Sequence, residues 1–313
     1  MLPALGHLSW DVMSPGTRRF ETSAVAALAP VLTLAPVCLA ALFVFWLPVR
    51  LFWHVSYPMF ALAYLAAGSL LFLRPVQVPV LTRLLGARRP TRAESVRLDT
   101  AWRSVLEAAR MPSKRYVLAV LGSDELNAFA CGGHLVVITS LAVETLPRDE
   151  LAGVLAHELS HHLGFHTVAL TATQWLSAPV LLLARVGFFL QNVATAATSS
   201  FASNSPLLTV LGRLASALLT AVSWVFLSGI IVAKAIGNWA GRGAEFQADE
   251  RVIALGFGRE LASALRRVVA QGGGSRPIGW RDRLSATHPP ARTRIARIEA
   301  LMRRVVGGGR GVG

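Results

Sequence analysis

Between residues 23 and 73 the chain reads SAVAALAPVLTLAPVCLAALFVFWLPVRLFWHVSYPMFALAYLAAGSLLFL, with Arg50 as its only Asp, Glu, Lys or Arg. A helix needs about 20 apolar residues to cross a bilayer, so this stretch is long enough for two. The Pro48-Val49-Arg50 corner separates a first span, 23–47, from a second span, 51–73. We therefore expect a tight transmembrane hairpin over residues 23–73.

Two further stretches, 168–190 and 215–236, are apolar enough to cross a bilayer and predict a second transmembrane pair within residues 168–238. Arg185 lies inside the third span, where a charge is costly unless it snorkels to the surface or faces protein. Spans three and four are therefore either a full transmembrane pair or a hairpin packed partly against the protein. The first alternative gives four transmembrane helices in all.

The charge of the chain is sparse and strongly basic. Of its 313 residues, 53% are apolar and 15% are charged, whereas a soluble domain usually carries roughly 25% charged residues. This deficit excludes a disordered chain and argues against an ordinary soluble enzyme. The 31 Lys and Arg exceed the 17 Asp and Glu and give a net charge of +14, and Lys114 and Lys234 are the only lysines.

The arginines indicate the orientation in the membrane. Residues 74–110 are rich in arginine, whereas residues 191–212 carry no Lys or Arg. Because basic segments stay on the cytoplasmic side, we expect a multi-pass protein of the inner or plasma membrane with its soluble parts in the cytoplasm. This retention explains the arginine excess without a nucleic-acid partner, and no platform of basic and aromatic residues accompanies it.

The soluble parts predict an α+β, mostly helical fold with a small β-sheet. The middle segment predicts a helix over 93–110, strands over 116–121 and 134–139, and a hairpin turn at Gly132-Gly133. A further helix should begin near Pro147, since proline suits the first helical turn. The segment after the fourth span predicts three helices, over 241–255, 259–269 and 292–305.

The helix after Pro147 carries His157-Glu158-Leu159-Ser160-His161, an HExxH motif. Histidines four residues apart lie on one helical face and can bind one zinc ion. Glu158 follows the first histidine and is placed to take a proton from water that the metal activates. We therefore expect one Zn²⁺ per chain.

A catalytic zinc needs a third protein ligand, for which the residues leave three alternatives. Glu245 lies on the helix that emerges from the fourth span, whereas His162 and His166 follow the motif directly. His162 points about 100° away from His161 on the helix, and His166 shares nearly that face, so both are weaker choices. Without further information, Glu245 is as plausible a solvated glutamate as a ligand.

Four motifs in order resemble the integral-membrane gluzincins of the HtpX type, which are related to the CAAX prenyl endopeptidases. They are Asn127-Ala128-Phe129 with Gly132-Gly133, residues 154–161 around HExxH, Glu245-Phe246-Gln247-Ala248-Asp249, and Thr287-His288-Pro289-Pro290 with Arg294 and Ile295. The similarity covers roughly residues 116–301, and the two-plus-two arrangement of spans is also similar. The chain departs from the family pattern at Cys131 and Ser140, and its N-terminal 90 residues match in span pattern alone.

The resemblance implies a role for each matching residue. The zinc ligands would be His157, His161 and Glu245, with Glu158 as general base. Asp249 would hold a ligand or its helix in place from the second shell around the metal. The remaining implied residues are His288 and Arg294, near the metal as oxyanion stabilisers, and Asn127, Ala128 and Phe129, on an edge strand that binds extended substrate by β-pairing.

The resemblance further implies a zinc metalloendopeptidase that cleaves unfolded or misassembled membrane proteins at the cytoplasmic face. Alternatives are a protease for lipidated CAAX peptides and a zinc-bound membrane sensor without broad proteolysis, although an intact Glu158 argues against pure sensing. The expected organisation is a cytoplasmic segment (1–22), a transmembrane hairpin (23–73), the first half of the catalytic domain (74–167), a second transmembrane pair (168–238), the second catalytic half (239–306) and a disordered tail (307–313).

Overall fold

The structure is a computed structural model that describes residues 22–164, 166–201, 205–271 and 290–308. The helices are α1 (Thr22–Phe52), α2 (Tyr57–Leu70), α3 (Arg74–Leu85), α4 (Arg92–Ala108), α5 (Ser140–Thr145), α6 (Arg148–Leu163), α7 (His166–Phe201), α8 (Pro206–Ala254), α9 (Gly258–Ala270) and α10 (Ala291–Gly308). The strands are β1 (Ala87–Arg88), β2 (Val117–Leu121), β3 (Ala128–Cys131) and β4 (Leu135–Thr139). The predicted α+β, mostly helical class is confirmed. Residues 1–21 of the predicted segment 1–22 and residues 309–313 of the predicted tail 307–313 lie outside the described residues, and α10 continues to Gly308.

The three longest helices, α1, α7 and α8, pack against one another as a bundle that α2 joins. Its interior contains Leu34, Leu42, Ala61, Val180 and Ile230. Large apolar side chains also cover the outside of these helices, as lipid contact requires. By length and composition, α1, α7 and α8 can each cross a membrane, whereas α2 and α3 pass the same test only when they are taken together, with a bend of 84° between them. The chain is therefore a multi-pass membrane protein.

The first hairpin differs from the sequence prediction. Helix α1 continues through Pro48 to Phe52, and the chain turns at residues 53–56. Proline is tolerated in membrane helices because neighbouring groups satisfy the freed backbone, so Pro48 does not end α1. Helix α2 has only 14 residues, and α3 departs from it at 84°. The predicted turn at Pro48-Val49-Arg50 is therefore wrong, and the helix of the predicted span 51–73 begins at Tyr57 and ends at Leu70.

The small sheet has the strand order β1-β2-β4-β3. Strand β2 runs parallel to β4, and β3 pairs antiparallel with β4 through the Gly132-Gly133 turn. Gly132 has φ of +63°, a backbone conformation that disfavours other residues, and a Cβ there would lie 2.4 Å from the Gln77 side chain. Strand β3 is thus an edge strand of the described sheet, as expected.

Helices cover both faces of this sheet. On one face, α4 and α6 contribute Leu98, Val105, Leu151 and Leu155 to the main soluble core. On the other face, α3 packs Leu85 and Val78 against β2 and β4. The N-terminus of α4 is held by a capping box between Thr91 and Glu94, and Arg88 forms a salt bridge with the same Glu94 carboxylate (2.7 Å).

Helix α6 lies close to both α9 and α8. It meets α9 at Gly153, where an added Cβ would lie 2.5 Å from the Leu261 backbone nitrogen. Glu150 of α6 also accepts hydrogen bonds from Arg267 and Ser263 of α9. Helix α8 runs without a break from the membrane bundle to α6, so the bundle and the soluble half share one helix.

Candidate metal centre

The histidines of the HExxH motif lie buried on one face of α6, as their spacing predicts. The helix begins after Pro147 with Asp149 and Glu150 in its first turn, where negative charge suits the helix dipole. The His157 and His161 side chains are 3% and 11% exposed, and their Nε2 atoms lie 3.2 Å apart. Two imidazole nitrogens therefore converge on one point beside α6.

Glu245 of α8 completes this group. Its Oε1 lies 3.1 Å from His161 Nε2, and its Oε2 lies 3.4 Å from His157 Nε2. One donor atom from each of the three residues lies within 4.8 Å of the others. The structure thus joins Glu245, rather than His162 or His166, to the two motif histidines.

These distances match a tetrahedral zinc site. Zinc binds imidazole nitrogen and carboxylate oxygen at about 2.0–2.2 Å, so two ligand atoms of a tetrahedral ion lie about 3.4 Å apart. The observed separations of 3.1, 3.2 and 3.4 Å agree with that spacing. Three protein donors also leave a fourth position for water or substrate, as catalytic sites require.

Asp249 and Arg294 lie directly behind His157. The Asp249 carboxylate is fully buried, 3.2 Å from His157 Nδ1. The buried Arg294 guanidinium donates to both Asp249 oxygens, at 2.7 and 3.0 Å, and lies 3.6 Å from Glu245. Arg294 is therefore close to the metal ligands, as the resemblance implies. Its Nη2 also lies 3.2 Å from both ring nitrogens of His157, whereas its shortest contact is with Asp249.

These neighbours determine the charge of His157. Burial and the Arg294 guanidinium lower the pKa of the imidazole, but hydrogen bonds with Asp249 and Glu245 outweigh them and raise the pKa to about 9. The two carboxylates thus favour the charged imidazole, whereas a metal ion needs a free ring nitrogen, so protons and metal compete for His157.

The other residues near the motif occupy distinct positions. Glu158 is 3% exposed and lies between the two histidines in sequence. The His162 ring points away from the group, 3.0 Å from the Leu135 carbonyl oxygen and 3.2 Å from the Thr167 hydroxyl. The centre of the His166 ring lies 6.0 Å from that of His161. His162 therefore connects α6 to the sheet and is not a metal ligand here.

The expected substrate strand lies at the sheet edge next to α6. Ala128 and Phe129 belong to β3, and Asn127 immediately precedes it. The Asn127 carbonyl accepts a hydrogen bond from the Thr139 amide, which ties this end of β3 to β4. The side of β3 away from β4 has no strand partner in the described residues. His288, the other expected site residue, lies outside the described residues.

Two residues near the site were not foreseen from the sequence. Arg251 of α8 donates to the Ser160 carbonyl (2.8 Å) and so holds the C-terminal turn of α6. Gln77 of α3 is fully buried, and its Oε1 accepts from the Gly133 amide (2.9 Å) beside β3. Spacing along the chain gives no signal for either contact, although an arginine two residues past Asp249 is well placed for a helix C-terminus.

Comparison with known proteins assigns the chain to a family. The sequence pattern of peptidase family M48 matches residues 92–302, which is most of the chain and includes HExxH, Glu245 and Arg294. The chain belongs to peptidase family M48. Its M48 region contains both halves of the metal centre, and this membership makes the protein a metallopeptidase of a family that is zinc-dependent in general.

Proteases of the HtpX type are among the curated relatives that the chain resembles. The chain is 30% identical over 265 residues to the "Protease HtpX homolog" of Acidiphilium cryptum, covering 77% of this chain and 86% of the relative. It is 29% identical over 246 residues to the "Protease HtpX homolog" of Salinibacter ruber, covering 71% and 80%. The solved structure of S. mikatae Ste24p is 16% identical with a TM-score of 0.49, covering 88% of this chain and 66% of that chain. The HtpX-type resemblance is confirmed.

Proposed function

We propose that this M48 metallopeptidase is a zinc-dependent endopeptidase that cleaves unfolded or misassembled membrane proteins at the cytoplasmic face. The observation that carries the proposal is the joint formation of the metal group by α6 and α8. Glu245 lies 15 residues beyond Ile230, a buried residue of the bundle, which is about 22 Å along the helix. A peptide bond must therefore come close to the membrane surface to reach these donors.

The residues supply the chemistry of peptide hydrolysis. His157, His161 and Glu245 would hold zinc, which supplies an activated water and polarises the scissile carbonyl when it is bound. Glu158 accepts the water proton and returns it to the leaving amine. Asp249 accepts a hydrogen bond from His157 Nδ1 and so fixes the ring orientation.

Two further groups support substrate turnover. The outer edge of β3, from Asn127 to Phe129, binds an extended substrate through backbone hydrogen bonds. This pairing favours unfolded segments, because a folded substrate has no free strand to offer. Arg294 keeps Asp249 in place, and its guanidinium, 3.6 Å from Glu245, adds positive charge where an oxyanion develops.

Zinc analysis and cleavage of a model membrane protein test the proposal. Glu158→Gln should retain one zinc per chain and lose at least about 10²-fold in cleavage rate, because the proton acceptor is removed. Glu245→Ala should lose zinc and cleavage together. Glu250→Gln is the matched control, since Glu250 is half-exposed on the same helix and pairs only with Arg297 in the described residues.

The outcomes separate the alternatives. Undiminished cleavage by Glu158→Gln would overturn the mechanism. Stoichiometric zinc with no cleavage by the wild type would favour a sensor, and selective cleavage of lipidated peptides would favour a CAAX-type protease. Reporter fusions test the orientation, because the proposal requires Arg88 and His157 to face the cytoplasm together.

A further inference from the structure

A groove of about 650 Å³ lies between α3 and the β1–β2 side of the sheet. None of its lining residues belongs to the metal centre or to the substrate strand β3. Its walls come from α3 between Arg74 and Arg83, from β1 with the following Arg89, and from the start of β2. The groove is therefore a separate feature of the molecule that peptide hydrolysis does not use.

Four exposed arginines line this groove: Arg74, Arg83, Arg88 and Arg89. Its lining contains no aspartate or glutamate. Arg88 is neutralised by Glu94, whereas the other three have no carboxylate partner among the described residues. The groove thus concentrates uncompensated positive charge, which attracts an anion with several acceptor oxygens.

The floor of the groove is apolar. Pro75, Val78 and Pro79 of α3 face Val117 and Ala119 of β2 across it. A free phosphate ion would leave this floor exposed to water, and a nucleic acid would require stacking surfaces that the lining, which has no aromatic residue, does not provide. The combination of arginines and apolar floor favours an amphiphile with an anionic head.

The geometry also places the groove near the membrane surface. Helix α2 packs inside the apolar bundle, and α3 leaves it at 84°. Because α3 also packs Val78 and Leu85 against the soluble sheet, it lies along the edge of the bundle and does not continue α2 through it. Leu73 and Leu84, at the two ends of α3, are 51% and 61% exposed, so the segment combines basic and apolar groups as interfacial helices do.

We propose that this groove binds the headgroup of an anionic phospholipid. The phosphate would accept hydrogen bonds from Arg74, Arg83 and Arg89, while the glycerol and upper acyl region would cover the apolar floor. Basic pockets on the cytoplasmic side of membrane helices are known to favour such headgroups. The site does not depend on the proposed peptidase function, since none of its lining residues is one of the metal donors.

A lipid bound in the groove would also stabilise the turn between β3 and β4. Gln77 lies on α3 between the groove residues Pro75 and Val78, and its side chain bonds to Gly133 and His134 at the β3–β4 turn. A lipid that holds α3 in place therefore holds this turn as well. We expect bound anionic lipid to raise the thermal unfolding midpoint of the protein, because it binds the folded state alone.

Native mass spectrometry of the full chain in uncharged detergent tests the site. With phosphatidylglycerol and phosphatidylcholine of matched acyl chains, the wild type should bind phosphatidylglycerol at least about tenfold more tightly. The Arg74→Gln/Arg83→Gln/Arg89→Gln variant should lose this preference. The control removes three exposed arginines outside the groove, Arg103, Arg259 and Arg303, and should keep it.

Each other outcome overturns the proposal. Equal binding of the two lipids by the wild type excludes an anionic headgroup site. An equal loss of preference in the control variant shows that net charge alone is responsible. Displacement of phosphatidylglycerol by inorganic phosphate at equal concentration shows an ion site rather than a lipid site. If the glutamine variant does not fold, two measurements remain. The wild type must still prefer phosphatidylglycerol, and a variant with lysine at positions 74, 83 and 89, which keeps the charge, must still show that preference. A loss of the preference in either protein overturns the proposal.

Discussion

Gly153→Ala provides the sharpest test of how α6 packs on α9. Alanine favours helix over glycine by about 1 kcal/mol, so the same change at a free helical position should stabilise the protein. At Gly153, however, the new Cβ would lie 2.5 Å from the Leu261 nitrogen and 2.7 Å from the Glu260 carbonyl carbon. These are backbone atoms within α9, so no side-chain rotation relieves the contact.

The magnitude follows from these distances. A comfortable contact requires about 3.4 Å or more, so α6 and α9 must separate by roughly 1 Å. Overpacking of this kind costs about 1–3 kcal/mol, which exceeds or cancels the gain in helix propensity. We expect a net loss of up to about 2 kcal/mol in the free energy of unfolding, or up to roughly 6 °C in the thermal midpoint.

The assay is thermal unfolding of the purified chain in detergent, followed by circular dichroism. Gly243→Ala is the matched control, because Gly243 is exposed on α8 and nothing lies within 4 Å of its added Cβ. The control should raise the midpoint by up to about 3 °C. A midpoint for Gly153→Ala that rises as far as that of the control would refute the close packing of the two helices.

Three further changes test other contacts. Glu94→Gln should destabilise the protein by about 1–2 kcal/mol at pH 7, because Arg88 holds the pKa of Glu94 at about 2. That stabilisation is present above about pH 4.5 and is lost as the pH falls toward 2, so wild type and variant should converge in acid; a constant difference in unfolding free energy down to pH 2 would contradict it. Asp249→Asn should weaken zinc binding by about 10- to 100-fold in chelator competition, whereas the half-exposed Glu250→Gln should not; equal affinities would mean that Asp249 does not orient His157. Gln77→Ala should raise KM for an extended peptide more than it lowers kcat, because it loosens the turn beside β3, and an unchanged KM would show that this turn does not position the substrate strand.

The membrane helices and the motif helix were predictable because their signals are local. Apolar composition alone identifies α1, α7 and α8, and the four-residue spacing of His157 and His161 fixes their common face. The turn at residues 53–56 was missed because Pro48 looked like a helix end. In a bilayer, backbone groups that leave a helix find no water to bond with. Ending α1 at Pro48 would therefore cost more than the single backbone hydrogen bond that the proline removes.

The rest of the site depends on contacts between distant segments. Residues as far apart as His157 and Glu245 meet only because α8 leaves the bundle against α6, and no periodicity encodes that approach. The Asp249–Arg294 pair likewise joins α8 to α10. A resemblance to known sequences supplied these residues, whereas the identity of their hydrogen-bond partners required the fold.

Because α8 is unbroken between the membrane bundle and Glu245, the orientation of α8 in the bilayer determines the position of one metal ligand. Over the roughly 22 Å between Ile230 and Glu245, a tilt of about 5° in the bundle would swing the carboxylate by about 2 Å, whereas metal–ligand distances vary by only about 0.2 Å. A small change in the tilt of α8 within the bundle is therefore enough to separate Glu245 from His157 and His161. Close packing of the bundle around Leu34 and Val180 limits the tilt of α8 and therefore limits how far Glu245 can move from the two histidines.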